Sequence, residues 1–186
     1  MALRSHGWWV THRAGAGFGS LAIVALGLIL PPLVGAEGVP APQVKIAVFD
    51  FELEDLSPSA VLLNKSANRT AIMDRVTSAA RRELAESGRY SVIDASKADA
   101  PAVASKSLRN CDGCEAAIAR KLGADQSLIG IVRSVTQTDY YVAIQIRDAR
   151  TGKLIDQQEA NFAGGEEGWP SGVRMLLKHQ ILVAPN

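Results

Sequence analysis

Cys111 and Cys114 are the only two cysteines among the 186 residues, and they sit two residues apart in "RNCDGCEAAIARKLGAD", at the head of a helix-like segment. Thiols at this spacing can close a disulfide within one turn, exchange disulfides with a partner, or supply half of a tetrahedral metal site. The compartment decides between these, because disulfides persist in oxidising surroundings and thiols in reducing ones.

The compartment is read from the N-terminal residues. Arg4 and Arg13 precede the apolar run Phe18 to Leu30, the pair Pro31-Pro32 stops it, and the small residues Val34-Gly35-Ala36 follow. That order is a secretory signal peptide cut after Ala36. A spanning helix needs about 20 apolar residues, and no cysteine follows the run to carry a lipid. The expected organisation is a signal peptide at 1–36, a short linker at 37–43 and a single α/β domain at 44–186, placed in the periplasm or secreted, not as a lipoprotein. Cleavage would remove two of the 20 basic residues and leave 18 against 19 acidic ones, with no stable membrane span. Such a balance recruits neither nucleic acid nor an anionic membrane by bulk charge. His6, His12, Trp8 and Trp9 leave with the leader, so His179 and Trp169 remain.

In an exported chain an even cysteine count favours a structural disulfide. Its small ring would contribute about 1 to 3 kcal/mol. The alternative is a thiol-disulfide redox carrier, favoured by Cys114 in the first helical turn and opposed by Asp112 and Glu115 beside the thiols. A zinc site would need two further ligands, with only His179 as a histidine to offer. No metal and no cofactor are expected, and no catalytic residue is assigned. Asp50, Glu52, Glu54 and Asp55 crowd one stretch and read as solvated loop carboxylates.

The elements that must position these residues follow from periodicity. "VKIAVFDFEL" (44–53) reads as a strand buried on both faces. Ile72, Met73, Val76, Ala79, Ala80 and Leu84 recur at helical spacing before Gly88. "RYSVID" is a short strand, and Ala95 to Asn110 a loop with a helical turn. Asp112 and Glu115 have the spacing of a capping box for the next helix, which ends at Gly123. Three strands then follow, "SLIGIVRSVTQ", "YYVAIQIRDA" and "KLIDQQEANF", the middle one with Val142, Ile144 and Ile146 alternating. A helix from Trp169 to Leu182 closes the chain. The fold class is α+β, an α/β sandwich whose mixed sheet of about five strands runs β-α-β-α-β-β-β-α, with helices packed on it. No glycine-rich phosphate loop follows the first strand.

The strings "KIAVFDFELED", "SGRYSVID", "CDGCEAAIARKLGAD", "IGIVRSV" and "IQIRDARTGKLI", with a late "GW", resemble a family of uncharacterised secreted proteobacterial proteins, a domain of unknown function. More distantly the layout is similar to the N-terminal domain of the periplasmic protein TolB and to curli secretion factor and lipoprotein-activator domains. The chain departs from the pattern at Thr136 to Tyr141, where a more apolar hairpin is expected. The resemblance implies a fold and an envelope address, and no activity.

The function expected is a non-enzymatic periplasmic accessory protein that presents a surface to an unknown envelope protein. Its alternatives are the redox carrier and a small-ligand-binding domain. Tyr140 and Tyr141 give rigid amphipathic contact area, and Trp169 either pins the last helix or anchors the partner.

Overall fold

The computed structural model describes residues 42–56, 66–96, 98–105 and 108–183, all within one compact unit spanning 39–186. The expected signal peptide and its cleavage site lie outside the described residues, as does most of the expected linker.

The first apolar run divides. Strand β1 (Val44–Val48) and strand β2 (Glu52–Asp55) flank an irregular step at Phe49 to Phe51. Residues i and i+2 of a regular strand share a face, yet Phe49 is buried on one side of the sheet and Phe51 on the other. A one-residue phase slip between them lets both rings be buried, and it raises the expected strand count to six. The Phe51 amide, freed from the ladder, donates to the buried Thr77 hydroxyl at 3.0 Å.

Helix α1 (Ser66–Glu86) carries the expected apolar stripe, which is buried, and Gly88 takes φ 69° after its end. Strand β3 (Tyr90–Asp94) follows, then one turn of helix α2 (Pro101–Ala104), a 3-10 turn at Leu108–Asn110, and helix α3 (Cys114–Lys121). Strands β4 (Gln126–Ser134), β5 (Asp139–Asp148) and β6 (Leu154–Ala163) form an antiparallel meander. The chain closes with helix α4 (Trp169–Leu176), which widens into a π turn at Leu177–Ile181.

The sheet runs β3-β1-β4-β5-β6, with β2 also paired to β4. Strands β3, β1, β4 and β2 are parallel, while β5 and β6 are antiparallel. This is an α+β fold with a mixed open sheet. Long β4 therefore serves both halves of the split strand: Val48 is level with Leu128 and Glu52 with Ile131.

Helices α1 and α4 cover one face, where Val142, Ile144 and Ile146 meet Ile72, Val76 and Leu176 in the main core. Helix α3 and the turn before it cover part of the other face, over Ala47, Phe49 and Ile129. Arg81 ties α1 to the sheet by donating to Val48 O at 3.0 Å and pairing with Asp50 and Asp94. Asp125, in the "LGAD" stretch, bonds both Lys45 N and Lys45 O and so locks β1 against β4. No helix among the described residues is long and apolar enough to cross a membrane.

Candidate functional site

Cys111 and Cys114 form a disulfide, with their Cα atoms 5.5 Å apart. Between the two cysteines the backbone is left-handed at Asp112 (φ 47°) and Gly113 (φ 95°). This displaces the expected capping box. The helix starts at Cys114, its N-cap is Gly113, and no side chain caps it. Glu115 instead points inward. It is 1% exposed, and its Oε1 lies 3.0 Å from Arg147 Nε.

The staple holds the preceding 3-10 turn in place. Cys111 N donates to Leu108 O, while Leu108 N donates to Glu52 Oε1 at 2.7 Å. Glu52 Oε2 accepts from Arg109 Nη1 at 2.8 Å. One buried carboxylate on β2 thus fixes both the turn and the direction of the Arg109 side chain.

Arg109 overhangs the part of the second sheet face that α3 does not reach. There a groove of about 210 Å³ has Ile129, Ile131 and Ala143 as its floor and Arg109, Gln145 and Gln157 as its rim. Alongside it a polar row crosses four strands. Glu54 pairs with Arg133 Nε at 2.7 Å, Arg133 lies 5.2 Å from the Tyr141 ring centroid, and the Tyr141 hydroxyl donates to Glu159. Burial pushes the Tyr141 phenol up to about 12, and the hydrogen bond to Glu159 and its negative charge add to the shift, while Arg133 opposes it. Ile131, Tyr141, Ala143 and Gln145 are half-buried and Gln157, Glu159 and Asn161 exposed, so no described element covers this area.

Of the three aromatics expected at a partner surface, only Tyr141 lies on this face. Tyr140 is 3% exposed: it stacks on Phe162 at 5.5 Å, and its hydroxyl donates to Gly168 O at 2.9 Å. Trp169 is 2% exposed and packs 6.3 Å from Tyr140, pinning α4 to the sheet. Strand alternation explains the difference, since Tyr140 shares the inward face of Val142 and Ile144.

Of the crowded carboxylates, Glu52, Glu54 and Asp55 lie on β2 and not in a loop, while Asp50 stands in the irregular step and is partly exposed. Asp50, Glu52, Glu54 and Asp55 pair with Arg81, Arg109, Arg133 and Arg69 respectively, each with a different arginine. Arg109 and Arg133 were not singled out from sequence; a charge inside the apolar run "IGIVRSV" was the available signal for the latter. His179 is exposed on the π turn.

Several solved structures are similar in fold. The LpoB C-terminal domain from Salmonella enterica is 19% identical with a TM-score of 0.44, over 68% of this chain and 87% of that one. PelC from Paraburkholderia phytofirmans is 17% identical at TM-score 0.46, over 77% and 90%. TolB from Acinetobacter baumannii is 16% identical at TM-score 0.42, over 75% of this chain and 28% of that one. No curated protein matches the chain. Residues 44–181 match DUF3280, described as "Protein of unknown function (DUF2380)", and the chain belongs to that family.

Proposed function

We propose that this is an exported, non-enzymatic accessory protein of the cell envelope, released by cleavage after Ala36 as a single domain over 44–186. In this reading it holds another envelope protein against the open face of β4, β5 and β6. The observation that carries the reading is the groove: its floor runs from buried Ile129 onto half-buried Ile131 and Ala143, which no described element covers, beside an arginine fixed by a buried carboxylate. Flat, half-buried aliphatic area rimmed by Arg, Tyr and amides is the composition of a protein contact. Four carboxylates that sequence alone would offer for acid/base work are engaged with arginines.

A photo-crosslinking residue placed at exposed Gln157, compared with one at exposed Lys178 in the π turn, tests this in intact cells. A discrete adduct from position 157 that is absent from 178, and that disappears with Arg109→Glu, is the expected outcome. Equal labelling from both positions, or none from 157, sinks it. Sequencing the N-terminus of the exported protein should find Glu37 first. The second reading, the redox carrier, is separated by the double replacement of Cys111 and Cys114 with Ser: adduct formation survives if the bridge is structural and is lost if exchange is the function.

A further inference from the structure

The disulfide has a neighbour that a merely structural bridge does not need. Glu115 is buried, with a side chain 2% exposed, and its Oε1 faces Arg147. The other, Oε2, lies 3.8 Å from Cys111 Sγ, and Leu108 O lies 3.0 Å from the same sulfur. A disulfide sulfur carries no hydrogen, so in the oxidised chain neither contact is a hydrogen bond. Burying a carboxylate oxygen against a group that cannot donate to it is unfavourable. Even on the Arg147 side the alignment is poor: neither Glu115 Oε1 nor Arg147 Nε makes a hydrogen bond, despite their 3.0 Å separation.

We propose that Cys111, Cys114 and Glu115 form a binding site for a thiophilic divalent cation of the zinc class, exclusive with the disulfide. Their ligand atoms lie within 4.8 Å of one another. Two thiolates at C-x-x-C spacing plus one carboxylate are a donor set such a cation takes, and the half-buried sulfurs leave a further position for solvent or for Leu108 O. Charge closes as well: two thiolates and the Glu115 carboxylate against the Arg147 guanidinium and a divalent cation sum to zero. Sequence reading took Glu115 as a capping residue and so counted two ligands where the fold supplies three.

The same two sulfurs serve either a bond to each other or bonds to the cation. Interconversion needs a two-electron donor, which we take to be a dithiol. Its two thiols become a disulfide, the Cys111–Cys114 bond breaks, and its protons pass to the two released sulfurs. Binding the cation then expels one proton from each thiol.

The purified protein tests this directly, reduced with a phosphine, kept anaerobic and titrated with cadmium while the thiolate-to-cadmium absorption is followed. One cadmium per chain is expected for the reduced protein and none for the oxidised one, with Glu115→Gln weakening binding by about tenfold or more. Absence of the band in the reduced protein, one cadmium per two chains, or unchanged affinity in E115Q overturns the site. If E115Q does not fold, Arg147→Gln decides the same point. Removing the opposing guanidinium should tighten binding, and unchanged or weaker affinity rules out Glu115 as a ligand.

Discussion

Arg109 and Glu52 stand 57 residues apart in the chain, and Arg109 Nη1 donates to Glu52 Oε2 at 2.8 Å. Glu52 is buried while Arg109 is about one-third exposed, so the pair joins the inside of the sheet to the rim of the groove. Removing the carboxylate strands the Leu108 amide as well as the guanidinium. Glu52→Ala is therefore expected to lower stability by about 2 kcal/mol, after discounting for the exposure of Arg109. Urea titration gives the value. A loss within about 0.5 kcal/mol, the usual range for a surface change, would mean that the turn is held by something else.

Gly130 lies in the middle of β4 because Phe51 occupies the space a side chain would need. A Cβ there would come within 2.1 Å of the Phe51 ring. Gly130→Ala should cost about 1 to 3 kcal/mol through overpacking, measured as a shift in the urea midpoint. Pairing it with Phe51→Leu should recover part of the loss; two losses that simply add would deny the contact.

The helical stripe on α1 and the two-residue period of β5 were legible in the sequence because burial repeats with the backbone's own period. Trp169 was legible only as a choice between a pin for the last helix and an anchor for a partner, and its burial against Tyr140 selects the pin. The division of 44–53 was not legible, since a phase slip between two phenylalanines leaves the composition unchanged. Nor were the arginine partners of the carboxylates, which come from 57 positions away for Glu52 and 79 for Glu54. The cap at Asp112 misled for a different reason: Asp112 takes positive φ where a capping residue would be extended, and the helix begins one residue later, with Gly113 as its N-cap.

The bridge itself should matter modestly. A ring closed by neighbours three positions apart restricts the unfolded chain little, so replacing both cysteines with Ser is expected to cost about 2 kcal/mol. Circular dichroism should show the sheet intact. A loss of cooperative unfolding would instead make the bridge essential to the fold.

Tyr141 gives the protein an alkaline signature. Its folded pKa, up to about 12, exceeds the ordinary value of 10, so the folded state keeps the phenolic proton more tightly than the unfolded one. The stabilisation is complete below about pH 10 and is lost as pH rises toward 12. Burial also raises the phenols of Tyr90 and Tyr140. Ultraviolet titration of the folded protein should therefore show little phenolate at pH 10. Glu159→Gln should bring one tyrosine back toward 10; no change would place the cause in burial alone.

The sharing of β4 between β1 and β2 has a consequence for how the chain acquires its fold. The β4-β5-β6 meander closes through short turns, whereas Lys45 reaches its partner Asp125 across 80 positions. Loop-closure entropy favours the short connections, so the meander forms early and the parallel strands add to it later. A chain threaded through a membrane N-terminus first would carry β1 and β2 across without their common neighbour. Until β4 had followed, β2 would have no strand to pair with and β1 would have only β3, so the two could not yet be joined into one sheet.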